Sequence, residues 1–99
     1  MNQNAMRRLK KMQKDMMEAQ KKLEETVFTG TAGGVVSVSV YGNHTVSSVK
    51  IDPEAIESAE DVEMLEDSIV IALNDVNKQI DKATESIMGP FSGGMPGLF

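Results

Sequence analysis

The chain has 99 residues, a formal net charge of −5 and no cysteine. That length builds one small domain, the missing thiols exclude a disulfide scaffold and every thiolate metal site, and no apolar run approaches the ~18 residues of a membrane span. One Tyr, three Phe and no Trp make a core poor in large rings, so a second copy is expected to supply part of the burial. The first residues lack the apolar centre of a secretory signal, and a soluble, cytoplasmic protein is expected.

From Asn2 to Thr26 the sequence has no Gly or Pro, and Ala5, Leu9, Met12, Met16, Ala19 and Leu23 recur in alternating steps of four and three. That spacing predicts an amphipathic helix with a heptad-like seam. Such a helix is about 37 Å long, against about 17–20 Å for a typical strand, so its first half is expected to overhang the domain. The overhang carries Arg7, Arg8, Lys10, Lys11 and Lys14.

Strand composition follows. Val27 to Thr31 is β-branched and aromatic, and Gly33-Gly34 marks a tight turn. From Val35 to Tyr41, Val36, Val38 and Val40 alternate with Ser37 and Ser39, which predicts a strand buried on its valine side. Gly42-Asn43 suits a type II′ hairpin. A third strand is expected over His44–Ile51, where Val46, Val49 and Ile51 break the period of two, so a bulge occurs or both faces are partly covered.

Asp52-Pro53 closes the sheet, and Ser58-Ala59-Glu60-Asp61 resembles a capping box, with Asp61 in the place usual for Glu or Gln. The second helix is predicted from Asp61 to about Met88 on a stripe that includes Val62, Leu65, Ile69, Leu73, Val76 and Ile80, with Gly89-Pro90 as its stop. The domain is therefore residues 1–89, and 90–99 is expected to be a flexible Gly/Pro-rich tail. The order is α-β-β-β-α, an α+β fold with a three-stranded antiparallel sheet and two long helices.

The charge is unevenly spread. Residues 1–22 hold seven Lys/Arg against Asp15 and Glu18, whereas residues 51–99 hold Lys78 and Lys82 against eleven acids. Such asymmetry points to an anionic partner for the basic end. Lys78 and Lys82 are expected near the basic tip, and the acids of 60–67 near the helix base beside Lys21 and Lys22. Phosphates attract a cationic helix side through Coulomb attraction and counterion release. No aromatic residue interleaves with the cations, so stacking on single strands is not indicated. Arg7, Arg8, Lys10, Lys11 and Lys14 are the candidate contact residues for such a partner, the alternative being that these helical charges only keep the surface wet.

Enzymatic chemistry is hard to assemble. His44 is the only histidine and flanks a turn, the glycines at 30, 33 and 34 precede a strand with no Gly-Lys-Ser/Thr, and the carboxylates from Asp52 to Asp67 lack calcium-loop spacing. No enzyme activity, cofactor or metal is expected. Met6, Met12, Met16 and Met17 on the first helix support a second reading, a protein-binding adaptor or holdase whose Met-rich arms grip apolar segments.

Three stretches in this order resemble the YbaB/EbfC family of nucleoid-associated proteins: Lys11-Met12-Gln13-Lys14-Asp15-Met16, Gly30-Thr31-Ala32-Gly33-Gly34, and Glu63-Met64-Leu65-Glu66-Asp67 leading to Ala72-Leu73-Asn74. Ile51-Asp52-Pro53 and the Met95-Pro96-Gly97-Leu98-Phe99 ending fit as well, whereas Met1-Asn2-Gln3-Asn4 departs from the Gly/Met-rich start common in the family. The resemblance implies a tweezer-like homodimer with protruding helical arms, bound to double-stranded DNA and acting in nucleoid organisation or transcription regulation. It implies no uniform set of binding residues, so the site assignment rests on charge.

Overall fold

The computed structural model describes residues 2–92, with side chains described through Gly89. The elements are α1 (Gln3–Glu25), β1 (Val27–Ala32), β2 (Val36–Tyr41), β3 (Val46–Ile51), a 3-10 turn at Pro53–Ala55 and α2 (Asp61–Ser92). The α-β-β-β-α order and the antiparallel sheet of order β1-β2-β3 match the expectation.

Helix α1 begins where Asn2 Oδ1 accepts from the Ala5 amide at 2.8 Å, closing one of the orphan donors of the first turn. It ends at Thr26, whose hydroxyl donates to the Lys22 carbonyl at 2.6 Å. Thr26 is already extended, so α1 runs straight into β1 without a loop. Gly33 and Gly34 both have positive φ (55° and 72°), the signature of a type I′ turn closed by Val35 N–H donating to the Ala32 carbonyl at 2.9 Å, with Val35 outside the β1–β2 pairing because Ala32 pairs with Val36.

The second hairpin differs from the type II′ expectation. Its left-handed residue is His44 (φ 72°), not Gly42. The loop closes through His44 N–H on the Tyr41 carbonyl and Tyr41 N–H on the Thr45 carbonyl, both at 2.8 Å. Gly42 is small for another reason: a Cβ there would run into the Leu23 carbonyl at the end of α1. The irregular pattern of β3 resolves as a bulge. Val40 pairs Val46 while Ser39 pairs Ser48, leaving Ser47 as the extra residue.

Helix α2 lies across β1 and β2 and makes the core. Ala72, Val76 and Ile80 are fully buried against Val36, Val38 and Val40, and burying a side chain the size of Ile80 contributes about 1.5–3 kcal/mol. Contact is close at Gly30, where a Cβ would strike the Ala72 carbonyl. Two α2 side chains also occupy the free edge of β1: Gln79 Nε2 donates to the Thr29 carbonyl at 2.8 Å, and Asp75 accepts from the Thr31 amide at 3.4 Å.

No such cover reaches β3. Val46, Val49 and Ile51 pair with Val40, Val38 and Val36 and share their face of the sheet. Yet Val46 remains 53% and Val49 48% exposed, because α2 spans only the other two strands.

The start of α2 follows the capping-box logic. The Asp61 carboxylate accepts from the amides of Glu57 (2.8 Å) and Ser58 (3.1 Å), and these two hydrogen bonds hold its pKa below the ordinary aspartate value. The helix end departs from expectation: α2 passes through Gly89-Pro90 and runs to Ser92. Proline costs the helix one amide donor. The carbonyl four residues back belongs to exposed Ser86, so the loss falls outside the core. Residues 93–99 of the expected tail lie outside the described residues.

Candidate nucleic-acid interface

Only the last part of α1 is anchored. Leu23 is its buried residue, seated by the hairpin at Gly42, and Gln20 Nε2 reaches Met88 Sδ at 3.6 Å. Between α1, the hairpin and the last third of α2 lies a cleft of about 740 Å³, lined by Gln20, Leu23, His44, Thr84, Glu85 and Met88 among others. The two helices therefore run antiparallel, with α2 ending about one turn beyond Met88. Residues 3–15 of α1 project past it, an arm about 20 Å long, and the molecule measures 70 × 24 × 15 Å.

All five cations assigned from sequence sit on this arm. Arg7, Arg8, Lys10, Lys11 and Lys14 are exposed, and no acid occurs between Gln3 and Lys14. Arg7, Lys10 and Lys14 follow one helix side, Lys11 lies beside them, and Arg8 sits nearer the apolar stripe. Lys14 Nζ is 4.0 Å from Glu18 Oε1, with both side chains largely exposed, a pair too solvated to neutralise the arm. From Asp15 onward acids intersperse with the lysines, so the positive field is confined to the projecting half.

Two electrostatic expectations are corrected. Lys78 and Lys82 do not join the tip; they line the outer side of α2 among Asp75, Asp81 and Glu85, level with the sheet. The acids of 60–67 do not flank Lys21 and Lys22 either. Because α1 meets α2 at Thr84–Gly89, those acids lie at least about 25 Å away along α2, at the opposite end of the sheet. The reason is the direction of α2, which starts at the far end of the strands and returns past the α1 base.

The YbaB/EbfC DNA-binding family profile matches residues 1–95 of the chain. The chain belongs to the YbaB/EbfC family. Curated relatives of this YbaB/EbfC chain include a nucleoid-associated protein of Chloroflexus aurantiacus, 38% identical over the full length of both chains. Another is a nucleoid-associated protein of Ligilactobacillus salivarius, 40% identical over 97% of this chain and 92% of its own. Among solved structures, the uncharacterised protein HP0035 of Helicobacter pylori superposes with a TM-score of 0.72 at 26% identity, covering 92% of this chain and 97% of that one. The fold is thus shared by a solved structure.

Two features of the site were not read from the sequence. Asp75 and Gln79 seal the β1 edge, although both are ordinary polar residues on a helix and nothing in their spacing marks the role. The bare face of β3 was equally hidden. In sequence Val46, Val49 and Ile51 read as apolar strand positions, and only the placement of α2 leaves them uncovered. No group of three or more His, Asp or Glu side chains is arranged for a metal ion among the described residues, and no described helix is long and apolar enough to cross a membrane.

Proposed function

We propose that this chain is a dimeric nucleoid-associated protein that binds duplex DNA through its basic arms and thereby influences nucleoid organisation or gene expression. One observation carries the reading: five exposed cations with no intervening acid, on a helix that projects clear of an otherwise acidic body. Arg7 to Lys14 spans about 10 Å of helix, the axial distance over which one DNA strand presents about three phosphates. Such contacts hold the protein on the backbone and carry no base information, so affinity is largely independent of sequence. The names of the curated relatives support the nucleoid role.

Dimerisation accounts for the bare face of β3. Val46, Val49 and Ile51 form an apolar face that α2 leaves bare, and a second copy covering it directs two arms from one body. The exposed methionines Met6, Met12 and Met17 favour the adaptor or holdase as the second reading. A duplex titration at several salt concentrations separates them. DNA binding by two arms gives a slope of log affinity against log salt between about −4 and −9, whereas apolar gripping strengthens with excluded salts. Sedimentation in the same buffers reads the dimer. A slope near zero with intact fold overturns the DNA reading, and a monomer at micromolar concentration overturns the dimer.

A further inference from the structure

The arm leaves an apolar stripe with no partner among the described residues: Leu9 is 46% and Met12 50% exposed, and Ala5 and Met16 continue the line on either side. The stripe has coiled-coil spacing. Arg8 and Asp15 border it on one flank, and Met6 and Gln13 border it on the other. Arg7, Lys10, Lys11 and Lys14 all point away from it. A helix with this stripe stays soluble at modest cost, but its natural complement is another apolar stripe of the same spacing.

We infer that the arms of two copies pair antiparallel through this stripe. The charges select one register. In an antiparallel pair each flank faces the same flank of its mate. With the centre between residues 10 and 11, Leu9 packs on the other copy's Met12 and Met12 on its Leu9. Arg8 then meets Asp15 of the second copy, and Asp15 meets its Arg8. Met6 and Gln13 face each other in the same reciprocal way on the other flank. The overlap runs from Ala5 to Met16, nearly the whole projecting segment and the residue that follows it.

Sliding the pair by one heptad sets Asp15 against Asp15 once and Arg8 against Lys22 twice, all repulsive, and drives each arm into the other's α2. A parallel pair opposes Arg8 and Asp15 to glutamines and brings the cationic tips together. The antiparallel register alone satisfies the flanks and leaves both outer faces basic.

A contact this small is transient. It becomes effective when copies are concentrated side by side on a polyanion, where a second contact acts at high effective concentration. Copies then link through their tips into longer assemblies. The inference does not rest on the DNA reading, because pairing exists in free solution.

The test uses full-length protein without DNA. The chain has no cysteine, so Leu9→Cys and Met12→Cys variants trap the contact cleanly. Mixed together, they should form the mixed disulfide about tenfold faster than either forms its own. Arg8→Glu or Asp15→Arg, introduced into both partners, turns two attractions into two repulsions between exposed groups and should slow trapping about five- to tenfold. The double swap Arg8→Glu/Asp15→Arg should recover to within about twofold.

Losses that add in the double swap overturn the proposal, as do equal homodisulfide rates. Mixed trapping that appears only after residues 93–99 are removed also overturns it, since the tail is then the occupant of the stripe. The arm lies outside the core, so circular dichroism and urea midpoints should match the parent and exclude unfolding as the cause. Trapping reads the arm contact whether the bodies are monomers or dimers, so its failure and the failure of the DNA reading are separate results.

Discussion

Removing Lys10 and Lys11 together probes the arm at its centre. Both side chains are exposed on the projecting half of α1, and neither touches the core, so Lys10→Ala/Lys11→Ala should leave the unfolding free energy, read by urea denaturation, within about 0.5 kcal/mol of the parent. Each lost phosphate contact lowers the salt slope by about 0.9, so the slope should flatten by about 2 if one arm binds and about 4 if both do. At 150 mM salt the same relation makes affinity about 30-fold weaker for one arm and nearly three orders of magnitude weaker for two. The assay is fluorescence anisotropy on two unrelated duplexes at four salt concentrations, with the oligomeric state checked by sedimentation. Equal losses on both duplexes are expected, because phosphate contacts carry no sequence information. Unchanged affinity and slope in a folded double variant would refute the basic arm as the DNA site and move the adaptor reading ahead.

Three further outcomes test the fold and its surfaces. Gly30→Ala pushes a methyl into the Ala72 carbonyl and should cost about 2–3 kcal/mol of stability, whereas Gly34→Ala meets no atom but must hold φ at 72° and should cost about 1 kcal/mol, both read by urea denaturation. Asp61 has a folded-state pKa below the ordinary aspartate value of about 3.9, so its stabilising contribution is present above that value and is lost as pH falls through the folded pKa. The stability gap between parent and Asp61→Asn should therefore be constant near neutrality and shrink below about pH 4; a gap that widens in acid contradicts the capping role. Val49→Asp places a charge on the bare face of β3 and should shift the sedimentation profile from dimer to monomer while circular dichroism is retained. An unaltered dimer would place the interface elsewhere.

Periodicity is a local property, and what depends on it could be read directly. The 4-3 spacing from Ala5 to Leu23, the alternation of Val36, Val38 and Val40, and the Asp61 cap each depend on residues within a few positions of one another, and the structure contains all of them at the expected places. The five cations of the arm were visible for the same reason, since helical spacing alone puts them on one projecting segment. The Gly42 turn and the Gly89-Pro90 stop were misjudged because those residues answer to neighbours far away in sequence or to their place outside the core. Gly42 is small to admit the Leu23 carbonyl, and α2 continues through Gly89-Pro90 to Ser92.

The sequence by itself therefore determined the elements, their order, the valine core and the basic arm. Tertiary structure alone decided the direction of α2 across the sheet. That direction separates the acids of 60–67 from Lys21 and Lys22, keeps Lys78 and Lys82 from the tip, seals the β1 edge with Asp75 and Gln79, and leaves β3 bare. The physical reason is that one helix is about 10 Å wide and three strands spaced about 4.8 Å apart are wider. Which strand goes uncovered depends on where Gly30 lets the helix backbone approach most closely.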